Sequence, residues 1–245
     1  MRIVVIGATS AIAEHCCRQW VQREACDLLL VARDGARAAR IAEDLRVRSA
    51  ASTVEVATVD FLDATAIGGL AQRAAARPID IVLIAHGMLP EQSRVEADLA
   101  LCRNTIEINA VSPALFAEAF AAALAGAGRG TLAILGSVAG DRGRKANYSY
   151  GACKGFVERY AEGLQHRFAG TGVGVVLIKP GPTDTPMSAS YKRRGVRLAP
   201  VEGVARTTVQ AIDARRPVAY APARWRLIMW VVRSLPRFLF NRLNI

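Results

Sequence analysis

The residues best placed to do chemistry are Ser137, Tyr150 and Lys154. They stand as Ser-x12-Tyr-x3-Lys in the segment GSVAGDRGRKANYSYGACKGF. An interval of four residues puts Tyr150 and Lys154 on one helical face. An ammonium beside a phenol favours the phenolate, so the spacing predicts a Tyr150 pKa drawn down toward the working range of a general acid or base. Ser137 follows an apolar run, where its hydroxyl can hydrogen-bond a carbonyl oxygen, and Asn109 lies upstream in EINAVSPALF. Tyr148 is the nearest rival to Tyr150, but Ala152 rather than a lysine stands four residues beyond it. It reads as a pocket-wall aromatic.

A second group of residues lies at the N-terminus, where Ile3-Val4-Val5-Ile6-Gly7-Ala8-Thr9-Ser10-Ala11-Ile12 passes from an apolar strand through a tight turn into a helix. Backbone N–H groups and the helix dipole at such a turn can hold a dinucleotide pyrophosphate, with Gly7, Thr9, Ser10 and Ile12 in contact. Taken alone, the turn is equally an ordinary strand-to-helix connection. Ala11 and Ala13 replace two of the three glycines of a GxxxGxG loop. At the end of the second apolar run, Leu30-Val31-Ala32-Arg33-Asp34, Ala32 occupies the place of an acidic residue that would bind ribose hydroxyls, and Arg33 follows. Arginine there pairs with a 2′-phosphate, which inclines the reading to NADPH over NADH; Asp34 and the stacking capacity of arginine keep NADH open.

These groups need a scaffold, and the chain supplies one. Apolar, β-branched runs recur at Arg2–Ile6, Asp27–Ala32, Val54–Val59, Ile79–Ala85, Gly130–Leu135, Val173–Ile178 and, weakly, Pro217–Tyr220, separated by Ala-rich segments of helical spacing. Strands without a polar face belong in a parallel sheet covered on both sides, so the expected fold class is α/β, a doubly wound parallel sheet. The chain has 245 residues, 52% hydrophobic and 22% charged, which suits one domain with a full core and excludes disordered or fibrous classes. Five cysteines without a CxxC pair or a histidine cluster argue against a disulfide framework and a metal site, and point to a reducing compartment. The N-terminal apolar run breaks at Gly7, too early for a signal-peptide core. No uninterrupted apolar stretch reaches the 18 residues or so of a membrane span, so none is expected.

The combination of the Gly7 turn, Asn109, Ser137, Tyr150, Lys154 and the stretch Lys179-Pro180-Gly181-Pro182-Thr183-Asp184-Thr185 resembles the short-chain dehydrogenase/reductase family, over residues 1–222. The resemblance implies a Rossmann-type fold, with Tyr150 as proton donor and Ser137 orienting the carbonyl. It also implies that Lys154 binds the nicotinamide ribose and tunes Tyr150, and that Asn109 supports a proton relay. It further places Asp60 and Phe61 near adenine, Ala85 and Gly87 along the cofactor, and Pro180, Gly181, Thr183 and Thr185 in the loop closing over nicotinamide and pyrophosphate. His86, between Ala85 and Gly87, reads as a packing and hydrogen-bonding residue rather than a catalytic one.

The net charge of +11 is unevenly placed: residues 1–191 hold 20 Lys+Arg against 19 Asp+Glu, and residues 192–245 hold 12 against 2. Four cations between Lys192 and Arg197 lie where the family carries its substrate lid. They suit a phosphate-bearing substrate or, more commonly, form a solvated loop. In residues 223–245, Trp225, Ile228, Met229, Val232, Leu235, Leu239 and Leu243 recur at three- and four-residue intervals with arginines beside them, and Pro236 interrupts the pattern. A basic amphipathic segment with Trp and Phe is expected to lie in an anionic membrane interface. The alternative is an arm packed on a second subunit of a homo-oligomer. Nucleic acid is not an expected partner, because no groove-reading motif is present.

Within the family, this tail resembles reductases of lipid-linked sugars. The resemblance implies a polyprenyl-phosphoryl 2-keto-pentofuranose substrate supplied by a flavin-dependent oxidase component, a product used in cell-wall arabinose polymers, and a cytoplasmic location, peripheral at the inner face of the plasma membrane. Two rivals stand beside it. One is a reductase of a soluble or acyl-carrier-bound ketone. The other is a non-catalytic, membrane-associated nucleotide-binding subunit.

Overall fold

The structure, a computed structural model, describes residues 1–243. The expected tail runs to residue 245, so its last two positions lie outside the described residues. Strands β1 (Arg2–Ile6), β2 (Asp27–Ala32) and β3 (Thr53–Thr58) alternate with helices α1 (Ala11–Arg23), α2 (Gly35–Arg48) and α3 (Ala64–Ala74). After β4 (Ile81–Ile84) come α4 (Gln92–Ala97), α5 (Leu99–Ile106), a π-helical turn over Glu107–Val111 and α6 (Ser112–Ala127). The second half runs β5 (Gly130–Leu135), a 3₁₀ turn over Val138–Asp141, α7 (Tyr148–Arg167) and β6 (Val173–Pro180). It ends with α8 (Ala189–Arg193), α9 (Val201–Asp213), β7 (Val218–Ala221), α10 (Trp225–Ser234) and α11 (Arg237–Phe240).

All seven strands pair in parallel in the order β3-β2-β1-β4-β5-β6-β7. The expected doubly wound sheet is therefore the fold. Ile3, Val4, Val5 and Ile6 are fully buried, because alternate residues of β1 feed the cores on opposite faces. On one face Ile3, Val5, Leu28 and Leu30 meet Cys16 and Trp20 of α1, Leu45 of α2 and Ile212 of α9. On the other, Val4, Ile6, Val82 and Ile84 meet Ile67 of α3, Phe116 and Phe120 of α6, and Leu164 of α7. The run Leu99–Ala127 is long and apolar enough to cross a membrane by composition. Phe116, Phe120 and Leu124 spend its apolar face on the sheet.

The order of strands reverses direction between β1 and β4, and the carboxyl ends of these two strands flank an open crevice, the usual ligand position in such sheets. The strand expected at Val173–Ile178 runs two residues further, since Lys179 and Pro180 pair with Tyr220 and Ala221 of β7. Beyond Ala221 the tail turns back onto the body. Its helix breaks where Pro236 forces Leu235 into extended backbone.

The expected apolar stripe of the tail is divided. Trp225, Met229, Val232 and Leu235 turn toward the body, with Met229 buried, while Ile228, Leu239 and Leu243 are exposed. Leu227 and Trp230, outside the stripe, are two-thirds exposed and Val231 lies beside them. One part of the tail's apolar surface packs, and a larger part meets solvent.

Candidate active site

A cleft of about 650 Å³ opens at the carboxyl ends of the strands, within the size range of small-molecule sites. Gly7 forms its floor. Its φ of +79° suits glycine, and a Cβ there would meet the backbone and Cβ of His86 at 2.7–2.8 Å. This close approach sets the first amides of α1, which lack intrahelical acceptors, at the cleft wall beside Thr9, Ser10 and Ile12. Ser10 is the N-cap but makes no side-chain cap, so its hydroxyl is not spent on the helix. Ala11 also lines the wall, so the alanine that replaces a glycine leaves the turn intact.

At the far end of this wall stand Arg33 and Arg37. Asp34 lines the same region, but its carboxylate accepts the Arg37 backbone N–H at 2.9 Å as the N-cap of α2. Arg37 escaped the sequence reading because nothing in its spacing distinguishes it from the exposed arginines of α2. Phe61 is buried, packs edge-on to His86 at 4.7 Å, and has the Arg33 guanidinium 5.8 Å from its ring centre. Asp60, expected beside it in the cleft, instead accepts the Leu62 N–H at 2.9 Å and serves its own turn. Ala85, Gly87, Pro180, Gly181, Thr183 and Thr185 all line the cleft.

His86 bonds Ser112 Oγ through Nε2 at 2.9 Å, and burial, aided by the Lys154 and Arg33 charges, pulls its pKa down to about 3. It is a neutral packing residue. Asn109 is fully buried in the π-helical turn behind the cleft, where its Oδ1 accepts Met88 N–H at 2.9 Å and its Nδ2 donates to Thr105 O at 2.9 Å. Both ends of its amide are committed to backbone. It holds the loop that carries Gly87 and sits directly behind the residues lining the cleft.

Ser137, Tyr150 and Lys154 do come together in the cleft. Two glycines let the 3₁₀ turn touch α7. A Cβ on Gly140 would meet the Lys154 backbone at 2.7 Å, and one on Gly151 would meet Ala139 O at 2.9 Å. Lys154 is buried, its Nζ donates to Leu135 O at 2.8 Å, and it lies 5.8 Å from the Tyr150 ring centre. Burial pulls this ammonium down to about 8. Burial also pushes Tyr150 up to about 12, with the Ser137 hydroxyl working against the rise. The downward shift of Tyr150 expected from the Tyr-x3-Lys spacing is thus reversed, because desolvation outweighs an ammonium tethered to Leu135. The phenol keeps its proton at neutral pH, as a proton donor requires.

A buried ion cluster braces this wall and was not visible in the sequence. Lys179 pairs with Asp141 and with Glu158 Oε1 at 2.8 Å, and Tyr220 Oη donates to Asp141 Oδ2 at 3.1 Å. Burial depresses the Lys179 pKa, but the two carboxylates outweigh it and hold the ammonium charged. The adjacent Arg142 donates to the backbone carbonyls of Val232 and, at 2.7 Å, Leu235, and its guanidinium lies 3.7 Å from the Phe240 ring centre. The Trp225 indole occupies the space a Cβ on Gly181 would need. The tail is therefore fastened to two walls of the cleft.

The substrate end is formed by Met187, Ser188 and Tyr191 from the lid and by Arg144 and Asn147 from the turn before α7. The cationic run Lys192–Arg197 is exposed and none of its four cations lines the cleft. Lys192 pairs with Asp184 at 2.7 Å, and Arg194 stacks on Tyr191. These cations form a solvated loop; the cation facing the substrate end is Arg144.

Comparison with known proteins places this arrangement. Residues 1–195 match the family model described as short chain dehydrogenase. Over 98% of its length the chain is 31% identical to an uncharacterized oxidoreductase of Mycobacterium tuberculosis, covering 96% of that protein. It is 34% identical, over 98% of its length and 95% of the relative, to an uncharacterized oxidoreductase of Streptomyces coelicolor. A short-chain dehydrogenase from Sphingobium yanoikuyae, solved in complex with NADPH, superposes with a TM-score of 0.80 at 25% identity, covering 97% of each chain.

Proposed function

The chain belongs to the short-chain dehydrogenase family and is an NAD(P)-dependent oxidoreductase, and we propose that it reduces the 2-keto group of a polyprenyl-phosphoryl pentofuranose to the arabino alcohol. The segments SVAGDRGRKANYSYGACK, IAHGML and APARWRLIMWVVRSLPRFLF resemble the reductase component of decaprenylphosphoryl-β-D-ribose 2′-epimerase. On this reading a flavin-dependent oxidase supplies the keto lipid, and the work is done at the cytoplasmic face of the membrane, for cell-surface arabinose polymers. The observation that carries it is the fastening of the tail to the cleft. Arg142 and Trp225 hold α10 against the catalytic walls, while Leu227, Trp230 and Val231, with Arg226 and Arg233 beside them, face outward. An apolar face flanked by arginines matches an anionic lipid surface, where a lipid-linked substrate must be met.

The cofactor of this reading is NADPH. Gly7, at φ +79° and close against His86, sets the first amides of α1 at the cleft wall, Arg33 and Arg37 supply charge for a 2′-phosphate, and Asp34, the one carboxylate lining the cleft among the described residues, is turned into a helix cap. NADPH supplies the hydride to C2. The rest falls to the chain. Tyr150 Oη gives its proton to the C2 carbonyl oxygen, and the Ser137 hydroxyl donates a hydrogen bond to the same oxygen as charge develops there. Lys154, fixed by Leu135 O, then stabilises the phenolate left behind.

The test supplies NADPH and a short-chain prenyl-phosphoryl 2-keto-pentofuranose in mixed micelles. The proposal expects NADPH oxidation with formation of the arabino product. Reduction of a soluble ketone without turnover of this lipid would overturn the substrate.

A further inference from the structure

We propose that Arg144 and Asn147, with Tyr191 of the lid, form an anion subsite that takes the phosphodiester of the substrate. The proposal rests on the reading of the substrate as a phosphoryl sugar, and it names the residues that would read that phosphate. Arg144 lines the cleft that holds Tyr150, six residues ahead of it in the turn entering α7. Its Nε is shielded from solvent and has no hydrogen-bond partner, and its guanidinium makes no ion pair among the described residues. Burial depresses its pKa, with Tyr191 and Asp141 acting in the opposite sense. Asp141 is already taken by Lys179. An arginine stays charged in such surroundings, so the site holds a half-buried cation without a counter-ion among the described residues.

Asn147 repeats the pattern. It is the N-cap of α7, a position where asparagine ordinarily folds its side chain onto the first-turn amides, yet it makes no such cap. Its Nδ2 reaches instead to Tyr191 Oη at 3.3 Å, and its buried Oδ1 has no partner. The pair therefore offers unspent donors on a cation and one unspent acceptor. A glycosyl phosphate supplies the complement: phosphate oxygens for Arg144 and a sugar hydroxyl for Asn147 Oδ1. In such a molecule the phosphate is carried on C1, next to the C2 carbonyl. A cation for it belongs in the wall beside Tyr150, and the lid cations Lys192–Arg197, which are exposed and do not line the cleft, do not serve.

The experiment measures binding of farnesyl phosphate, farnesol and inorganic phosphate to the NADPH-loaded protein by titration calorimetry. With the cofactor site filled, the wild type is expected to prefer farnesyl phosphate to farnesol by about tenfold or more, a charge-assisted contact's worth. Arg144→Gln should lose that preference, and Arg144→Lys, which keeps a cation on a similar stem, should retain part of it. Retained preference in Arg144→Gln, or none in the wild type, would overturn the proposal. If Arg144→Gln does not fold, unchanged preference in Arg144→Lys together with Asn147→Ala overturns it. Displacement of farnesyl phosphate by inorganic phosphate supports a site that reads phosphate alone, and its failure to displace supports one that reads phosphate on a prenyl chain. The substrate reading fails separately: a phosphate preference that depends on Arg144, without turnover of the keto lipid, leaves the subsite standing. Turnover of that lipid with an unchanged KM in Arg144→Gln removes the subsite alone.

Discussion

The two ends of the cleft are built differently. The cofactor end is made from consecutive residues where a strand gives way to a helix: Gly7 to Ile12 after β1, and Arg33 to Arg37 after β2. Backbone conformation does most of the work there. The substrate end is assembled from pieces far apart in sequence: Arg144 and Asn147 before α7, Met187 and Tyr191 in the lid, and the tail pinned by Arg142 and Trp225. Side-chain direction decides what that end can bind. A local motif can carry the first through many substrates, while the second is free to change with each.

Tyr150, between the two ends, carries the largest expected effect. Tyr150→Phe should lower kcat by about 10²–10⁴-fold, the worth of a positioned general acid, while NADPH affinity measured by fluorescence titration holds. Loss of NADPH affinity along with turnover would mean that the two ends are not separable at this residue. At the cofactor end, Arg33→Ala should weaken NADPH by about tenfold or more and leave NADH nearly unaffected, read as the ratio of the two KM values. Equal losses for both would take the 2′-phosphate out of the account.

The sequence carried the fold well because the inner strands are largely buried on both faces, only the edge strands β3 and β7 showing exposed residues. The runs at Arg2–Ile6, Asp27–Ala32 and Gly130–Leu135 coincide with the observed strands. It carried Ser137, Tyr150 and Lys154 because helical spacing and a strand end determine their position. It could not show that desolvation, not Lys154, sets the Tyr150 pKa, since burial depends on how closely Gly140 and Gly151 allow the turn and helix to pack. Asp60, Lys192 and Arg197 illustrate the same limit. Each has the right charge in the right segment, and none of them lines the cleft. The tail shows it most clearly, because the regular apolar stripe is split, with Met229 buried and Ile228 and Leu239 exposed, and Leu227 and Trp230 outside it face solvent.

The tail gives the next effect in size. Replacing Leu227 and Trp230 together by Ser should reduce binding to anionic vesicles by about tenfold in a sedimentation assay, because two bulky apolar groups leave the interface. Unchanged sedimentation would assign that face to another partner. The smallest effect is in pH. Lys154 is charged below about pH 8 and neutral above it, while Tyr150 keeps its proton to about 12. Reduction should therefore be level below pH 8 and fall above it as one proton is lost, with kcat/KM halved near that value. A rate that rises through pH 8–9 would contradict the assignment of Lys154.

The most direct test follows the hydrogen itself. NADPH carrying deuterium at C4 of the nicotinamide is given to the wild-type protein with the prenyl-phosphoryl 2-keto-pentofuranose, and the product is examined by mass spectrometry and NMR. The account predicts one deuterium at C2 of an arabino-configured product when the transferred face is labelled. A product without label from either face, a ribo configuration, or no product from this lipid would contradict it.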